Sequence, residues 1–161
     1  MSKSPESGTQ RPVPFATTLH VRDHCLCLHL QRAARSVARL FDEALRPFAL
    51  TNQQFSLLMS LNRPEPPPIG PVAQLLGMDR TTLTAALKPL ERRGLVLVET
   101  DPADRRSRRL VLTAQGQALL AAALPSWAGS HAGLDERLEG HGGPGELRAA
   151  LNALSAPAAT A

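Results

Sequence analysis

Residues 71–112 read PVAQLLGMDRTTLTAALKPLERRGLVLVETDPADRRSRRLVL, an order that predicts a helix-turn-helix followed by a β-hairpin. A short helix over 71–76 precedes a tight turn at 77–79, where Asp79 is a suitable N-cap for the next helix. That helix covers 80–93. Gly94 follows it as the C-cap, and three leucines mark its buried side: Leu83, Leu87 and Leu90.

The hairpin is predicted from two short runs rich in Val and Leu, at 95–99 and 108–112. The segment between them contains Asp-Pro and two arginines, which indicates a turn with a charged tip. With helices on both sides, the sequence predicts a mainly α fold that carries one small β-hairpin.

The flanking segments predict helices as well. Apolar residues at steps of three and four lead to Leu45 and indicate a helix of about 25 residues that ends near Pro47. Thr51-Asn-Gln-Gln54 has the form of a capping box and opens the next helix. Thr113 is expected to cap a helix that Pro125 ends. After glycine-rich residues 141–145, an apolar stripe predicts a last helix: Leu147, Leu151 and Leu154.

Composition narrows the function classes. The 161 residues are 43% hydrophobic, with a net charge of +4, two cysteines and no tyrosine. No apolar run approaches the 20 or so residues that span a bilayer, the N-terminus has no apolar signal segment, and two cysteines make no disulfide framework. We therefore expect a cytoplasmic protein with free thiols and no membrane association.

The basic charge is concentrated and almost entirely arginine. Residues 79–109 carry eight basic and five acidic side chains, and Lys3 and Lys88 are the only lysines of the chain. Forked arginine donors suit phosphates and guanine edges, and threonine suits the thymine methyl. We therefore expect the second helix of the helix-turn-helix to enter the major groove of double-stranded DNA. Its expected contacts are Arg80, Thr81, Thr82, Thr84 and Lys88, with Arg93 on a phosphate.

The hairpin tip adds Arg105 and Arg106, which we expect to reach the minor groove or flanking phosphates. Helix pairs with a glycine turn are common, and a charge run is usually a solvated face. An interaction module with an inert helix-turn-helix is therefore the competing hypothesis.

Several motifs occur in the order found in one regulator family: Leu50-Thr-x-x-Gln-Phe55, Leu76-Gly-Met-Asp-Arg-Thr-Thr-Leu-Thr84, Leu87-Lys-Pro-Leu-Glu-Arg-Arg-Gly-Leu95, and Asp104-Arg-Arg106 followed by Leu112-Thr-x-x-Gly116. Over roughly 20–125 the chain closely resembles the multiple-antibiotic-resistance regulator (MarR) family. One difference is Ala85, where many similar sequences carry arginine.

The resemblance implies a winged helix-turn-helix with a helical dimerisation region, in a homodimeric repressor that binds a pseudo-palindromic operator and is released by a small-molecule effector. Residues 1–16 and 156–161 are rich in Ser, Pro, Gly and Ala, which predicts disordered tails. Between them we expect a dimerisation helix at 17–50, the DNA-binding domain at 51–113 and C-terminal dimerisation helices at 114–155. The effector is expected between the first helix, the second helix and the helix after the wing. No enzymatic activity and no cofactor are expected.

One cluster has three competing interpretations. Both cysteines and three of the five histidines lie within ten residues: His20, His24, Cys25, Cys27 and His29. In the first, the cysteines are small packing residues and the histidines face solvent. In the second the cluster is a thiol sensor, and in the third it is a metal site. On one continuous helix, spacings of four and seven residues place His20, His24 and Cys27 on one stripe that suits zinc or copper. A thiol- or metal-dependent enzyme that uses the cluster is a further hypothesis, but the sequence offers no arrangement of nucleophile, base and orienting group to support it.

The thiol interpretation centres on Cys27, with Cys25 and His24 beside it. Cys27 lies 27 residues before Gln54, the spacing that organic-hydroperoxide regulators of the family place between their reactive cysteine and a matching glutamate. Those regulators use tyrosines to bond the thiolate, whereas Gln31 and Phe41 occupy the matching places here. An intrahelical Cys25–Cys27 disulfide is disfavoured, because residues two apart on a helix point to different sides.

Overall fold

The computed structural model describes residues 12–102 and 104–155, which divide into two compact units at residues 37 and 38. The predicted tails at 1–11 and 156–161 lie outside the described residues. The elements in order are α1 (Phe15–His24), α2 (Leu26–Leu45), α3 (Asn52–Leu61), α4 (Ile69–Leu75), α5 (Arg80–Arg92), β1 (Val96–Thr100), β2 (Arg108–Leu112), α6 (Ala114–Leu138) and α7 (Gly143–Ser155).

The N-terminal unit contains a helix break that the sequence analysis did not predict. Cys25 has φ −76° and ψ 102°, so α1 ends before it and α2 begins after it. The Asp23 carbonyl oxygen lies 3.3 Å from His29 Nε2, so a side chain contacts a carbonyl that the end of α1 leaves without a helical partner. The stripe proposed for His20, His24 and Cys27 is wrong, because it requires one continuous helix. Phe15 belongs to α1, inside the segment predicted to be a tail.

The C-terminal unit is built around one hydrophobic core to which α3, α4, α5, both strands and α6 contribute. Thr51 accepts from the Gln54 N–H and Gln54 Oε1 accepts from the Thr51 N–H, so the predicted capping box is formed. The core side chains are Phe41, Leu45, Leu50, Phe55, Leu57, Leu58, Leu61, Val72, Ala73, Leu83, Leu87, Leu90, Leu95, Val96, Leu110, Leu120 and Ala123.

The hairpin is antiparallel, with Val96 opposite Leu112 and Thr100 opposite Arg108. A proline-rich segment at 66–68 lies along the other edge of β2. The Leu110 N–H donates to the Pro67 carbonyl at 3.0 Å, and Pro68 forms a bridge with Arg109. These two contacts tie the segment before α4 to the wing.

Helix α6 continues through Pro125 to Leu138, so the predicted end near Leu124 is wrong. The residues after the proline are held by aromatic packing. Trp127 stacks on Phe41 at 6.3 Å and on Phe55 at 5.9 Å between ring centroids. Stacked aromatic pairs bury large areas, and this packing offsets the one backbone hydrogen bond that a proline removes. The chain is broken later, where Gly142 and Gly143 have positive φ.

The fold is mainly helical with a two-stranded antiparallel wing, as the sequence predicts. None of the helices in the described part of the chain is long and apolar enough to cross a membrane.

Candidate nucleic-acid interface

Helix α5 is anchored by one face and exposed on the other. Leu83, Leu87 and Leu90 are at most 1% exposed. All five side chains predicted to face the major groove are exposed: Arg80, Thr81, Thr82, Thr84 and Lys88. Lys88 also borders an open groove of about 470 Å³ with Glu91 and Arg92. The structure therefore presents the predicted residues together on the surface of one rigidly packed helix.

Asp79 caps α5 and fixes Thr82. Asp79 Oδ1 accepts from the Thr82 N–H at 2.8 Å, and Asp79 Oδ2 accepts from the Thr82 hydroxyl at 2.7 Å. The bond from the hydroxyl, followed by that from the backbone N–H, holds the pKa of the Asp79 carboxyl below its ordinary value. The carboxylate therefore stays ionised at neutral pH, and its negative charge suits the helix N-terminus.

The other polar groups at the start of α5 have different surroundings. The Thr84 hydroxyl donates to the Arg80 carbonyl at 2.7 Å. Within the described residues, the Thr81 hydroxyl has no hydrogen-bond partner. The Arg80 guanidinium lies over Gly70 of α4, and a Cβ added at Gly70 would be 3.2 Å from Arg80 Nη2. No local sequence pattern reveals this role of Gly70.

At the wing tip, Arg105 and Arg106 are exposed. Asp104 shapes the turn, since its Oδ1 accepts from the Arg106 N–H at 3.0 Å and its carbonyl accepts from the Ser107 N–H at 2.8 Å. Both side chains therefore extend from a turn whose backbone is hydrogen-bonded.

The next two arginines are used inside the wing. Arg108 donates to the Thr100 hydroxyl at 2.9 Å, across the hairpin. Arg109 Nε lies 2.9 Å from Asp101 Oδ2, and Asp101 is buried. The hydrogen bond to Asp101, and then its charge, raise the pKa of Arg109 above its ordinary value. The Asp101–Arg109 pair, which no local sequence pattern reveals, holds the two strands together where the tip of the hairpin begins.

Arg93 is the predicted DNA contact that the structure places differently. Its two terminal nitrogens donate to backbone carbonyls, Nη1 to Ala49 at 2.6 Å and Nη2 to Phe48 at 3.3 Å. The guanidinium holds the turn before α3, and this use competes with the predicted phosphate contact.

The cysteine and histidine cluster lies on both sides of the break at Cys25. His20 and His24 stack at 4.2 Å between ring centroids. Cys27 is exposed and accepts a hydrogen bond from Gln31 Nε2 at 3.3 Å, while Gln31 Oε1 accepts from Arg35 at 3.1 Å. Across residues 12–102 and 104–155, no three His, Cys, Asp or Glu side chains are arranged to hold a metal ion.

Residues 50–107 match the model of the MarR family. The transcriptional regulator HosA of Escherichia coli O111:H- is 41% identical over 78 residues, which cover 47% of this chain and 56% of HosA. The matches span only about half the length of this and a second curated relative.

Solved structures extend the likeness to most of the chain. The Mycobacterium tuberculosis transcriptional regulator MosR in complex with DNA is 37% identical, with a TM-score of 0.73 over 82% of this chain and 94% of MosR. The transcriptional repressor CouR bound to a 23-mer DNA duplex is 31% identical, with a TM-score of 0.66 over 89% of this chain and 96% of CouR. CouR from Rhodococcus jostii RHA1 bound to p-coumaroyl-CoA is 24% identical, with a TM-score of 0.73 over 86% of this chain and 97% of that one, a likeness of fold alone.

Proposed function

Because the chain belongs to the MarR family of DNA-binding transcriptional regulators, which are not enzymes, we propose that it represses transcription as a homodimer on a pseudo-palindromic operator. A small-molecule effector releases it, and the protein acts in the cytoplasm. The observation that carries the proposal is the start of α5, where every predicted base-contacting side chain is exposed above a fully buried leucine face.

In this proposal α5 enters the major groove. Arg80, Thr81, Thr82 and Thr84 face base edges, and Lys88 contacts a phosphate or base further along. Arg105 and Arg106 of the wing reach the minor groove or its flanking phosphates. Two copies related by twofold symmetry place two such helices on half-sites about one DNA turn, or 34–36 Å, apart.

Exposed apolar side chains support association of two copies. On α7 three leucines at helical spacing are exposed, Leu147, Leu151 and Leu154. On the N-terminal helices the exposed apolar side chains include Phe15, Leu26 and Leu30. A monomer rarely leaves so many exposed apolar side chains in water. We propose that a second copy of the chain covers them.

A cavity of about 350 Å³ supports an effector site. It lies between α3 and α6, where apolar Met59, Leu120 and Leu124 are joined by two carboxamides, Asn62 and Gln117. A cavity of this size, mostly apolar with a few polar groups, is typical of small-ligand sites. Because α3 precedes the helix-turn-helix and α6 follows the wing, a ligand here can bias the spacing of the DNA-reading elements.

The test is binding to the DNA beside the protein's own gene, measured by fluorescence anisotropy at several salt concentrations. We expect tight, salt-dependent binding to one duplex and weak binding to a scrambled duplex of equal length. Equal affinity for both duplexes contradicts the proposal and favours the interaction module. A Gln117→Leu variant should keep operator affinity and change only the response to effector.

A second candidate, thiol-based release, is favoured by the hydrogen bond from Gln31 to Cys27. The amide donates where related peroxide sensors use a tyrosine, and Arg35 in turn bonds the amide oxygen. The Cys27 thiolate would attack the terminal oxygen of a hydroperoxide and break its O–O bond, becoming a sulfenic acid. The alkoxide that leaves would take a proton from water and depart as an alcohol. The helix break at Cys25 also removes the geometric objection to a Cys25–Cys27 disulfide.

Operator binding should then fall on hydroperoxide treatment of the wild type and stay unchanged in Cys27→Ser. Cys25→Ser separates the two oxidised products, because it allows a sulfenic acid and forbids a Cys25–Cys27 disulfide. Equal responses from wild type and Cys27→Ser contradict thiol sensing, and leave the operator proposal intact.

A further inference from the structure

The three exposed threonines of α5 do not offer DNA the same chemistry. A threonine side chain has one O–H donor, two acceptor lone pairs and a methyl group. Which of these faces the DNA depends on where the hydroxyl proton is already bonded. At Thr82 and Thr84 the proton is already committed to a partner within the protein, because neither acceptor can act as a donor.

At Thr82 the partner is Asp79 Oδ2, 2.7 Å away. An ionised carboxylate is an acceptor only, so the proton between the two oxygens belongs to Thr82. At Thr84 the partner is the Arg80 carbonyl, also at 2.7 Å and also an acceptor only. Both hydroxyls therefore direct their single proton into the protein.

Thr81 differs from both neighbours. Its side chain is exposed, and within the part of the chain that the structure describes its hydroxyl has no partner. Its proton is available to an acceptor on a base edge, namely guanine O6 or N7, adenine N7 or thymine O4.

We infer that α5 reads DNA through a divided set of threonines: Thr81 donates a hydrogen bond to an acceptor on a base edge, whereas Thr82 and Thr84 select thymine through their methyl groups. This rests on the proposed operator binding and deepens it. Asp79 acts as a positioning residue, because the bond that caps the helix also orients Thr82.

The test begins with a pool of random DNA duplexes enriched on the full-length wild-type chain. Affinities for the enriched duplex are then measured for valine and serine variants at 81, 82 and 84. Valine keeps a methyl and loses the hydroxyl, whereas serine keeps the hydroxyl and loses the methyl. At 81 valine should bind roughly tenfold more weakly than serine, while at 82 and 84 serine should bind roughly fivefold more weakly than valine.

A second measurement needs no protein variant. Each thymine of the enriched duplex is replaced in turn by deoxyuridine, which lacks only the methyl group. Wild-type affinity should fall roughly fivefold when deoxyuridine replaces a thymine that Thr82 or Thr84 contacts. The serine variant at that position already lacks the methyl group, so the same replacement should lower its affinity no further. Circular dichroism of each variant checks that α5 is intact.

The outcomes distinguish the division of the threonines from operator binding itself. Suppose that a duplex is enriched but deoxyuridine has no effect on affinity, or that the valine variant at 82 or 84 binds more weakly than the serine variant. Either result overturns the division of the threonines and leaves operator binding standing. Failure to enrich any duplex overturns both.

Discussion

Arg93 Nη1 donates to the Ala49 carbonyl at 2.6 Å, across 44 residues of sequence, and Ala49 has a left-handed φ of 52°. The guanidinium thereby joins the end of α5 to the turn that leads into α3. A left-handed non-glycine residue is uncommon, and it persists where surrounding bonds hold it. The Arg93–Ala49 hydrogen bond therefore links α5, the proposed DNA-reading helix, to the turn between α2 and α3.

Replacing Arg93 by methionine should lower the free energy of unfolding by about 1–3 kcal/mol, because two carbonyls of the turn lose their charged donor. Urea unfolding measures the change. Arg92→Met is the matched control, since Arg92 is exposed and its loss should matter little for stability. Equal effects of the two substitutions would show that the Arg93 bonds contribute nothing.

Ala49→Gly should stabilise the protein by about 0.5–1 kcal/mol. The left-handed conformation costs an alanine about 1–2 kcal/mol, and this gain exceeds the entropy that glycine adds to the unfolded chain. Ala122→Gly, on the exposed face of α6, should instead destabilise by a similar amount. Thermal unfolding of both variants checks the opposite signs, and a loss of stability in Ala49→Gly contradicts the prediction.

Gly116→Ala should destabilise by about 1–3 kcal/mol. A Cβ there would collide with the Leu95 carbonyl oxygen and approach Leu112 Cδ1 to 2.7 Å, so α6 would have to move away from the hairpin. Gly129→Ala in the same helix meets nothing within 4 Å and should stabilise by about 0.5–1 kcal/mol. If both variants shift the unfolding midpoint in the same direction, close contact at Gly116 is not the cause.

Arg106→Ala should weaken operator binding at low salt and reduce the slope of log affinity against log salt by about one unit, because one phosphate contact is lost. Arg137→Ala removes an exposed arginine from the last turn of α6 and should leave the slope unchanged. Anisotropy titrations at four salt concentrations distinguish them, and identical slopes for wild type and Arg106→Ala exclude Arg106 from the interface.

Asp79 should make stability dependent on pH in acid. Its folded-state pKa is lowered, so its contribution is complete above the unfolded value of about 3.9 and is lost as pH falls through the folded pKa. Asp79→Asn should therefore unfold with a flatter pH dependence below about pH 4 than the wild type. Unfolding curves from pH 2 to 7 measure this, and parallel curves would contradict it.

Local hydrogen bonds made much of the fold predictable. The caps at Thr51, Asp79 and Thr113 join a side chain to a backbone N–H three residues later, so each is visible in a few letters of sequence. The leucine spacing of α5 likewise defines its buried face, and therefore the opposite face on which the candidate contacts lie.

Contacts between distant residues were not predictable. From the sequence alone Pro125 indicates a helix end. The packing of Trp127 against Phe41 and Phe55, which keeps the helix going, has no signal in the neighbouring sequence. Arg93 resembled a phosphate contact for the same reason, since its partners precede it by more than 40 residues. The break at Cys25 was missed because α1 and α2 both have helical composition on either side of it.

The prolines at 66–68 have a consequence for self-association. A hairpin edge normally exposes a row of N–H donors to which a strand from another molecule can add. Here the edge of β2 is already occupied by the proline segment, through Leu110 and Arg109. Since proline has no N–H, the outer side of that segment cannot continue a hydrogen-bonded ladder. The β2 edge of the wing is thus closed to a strand from another molecule, although the wing itself is exposed and basic.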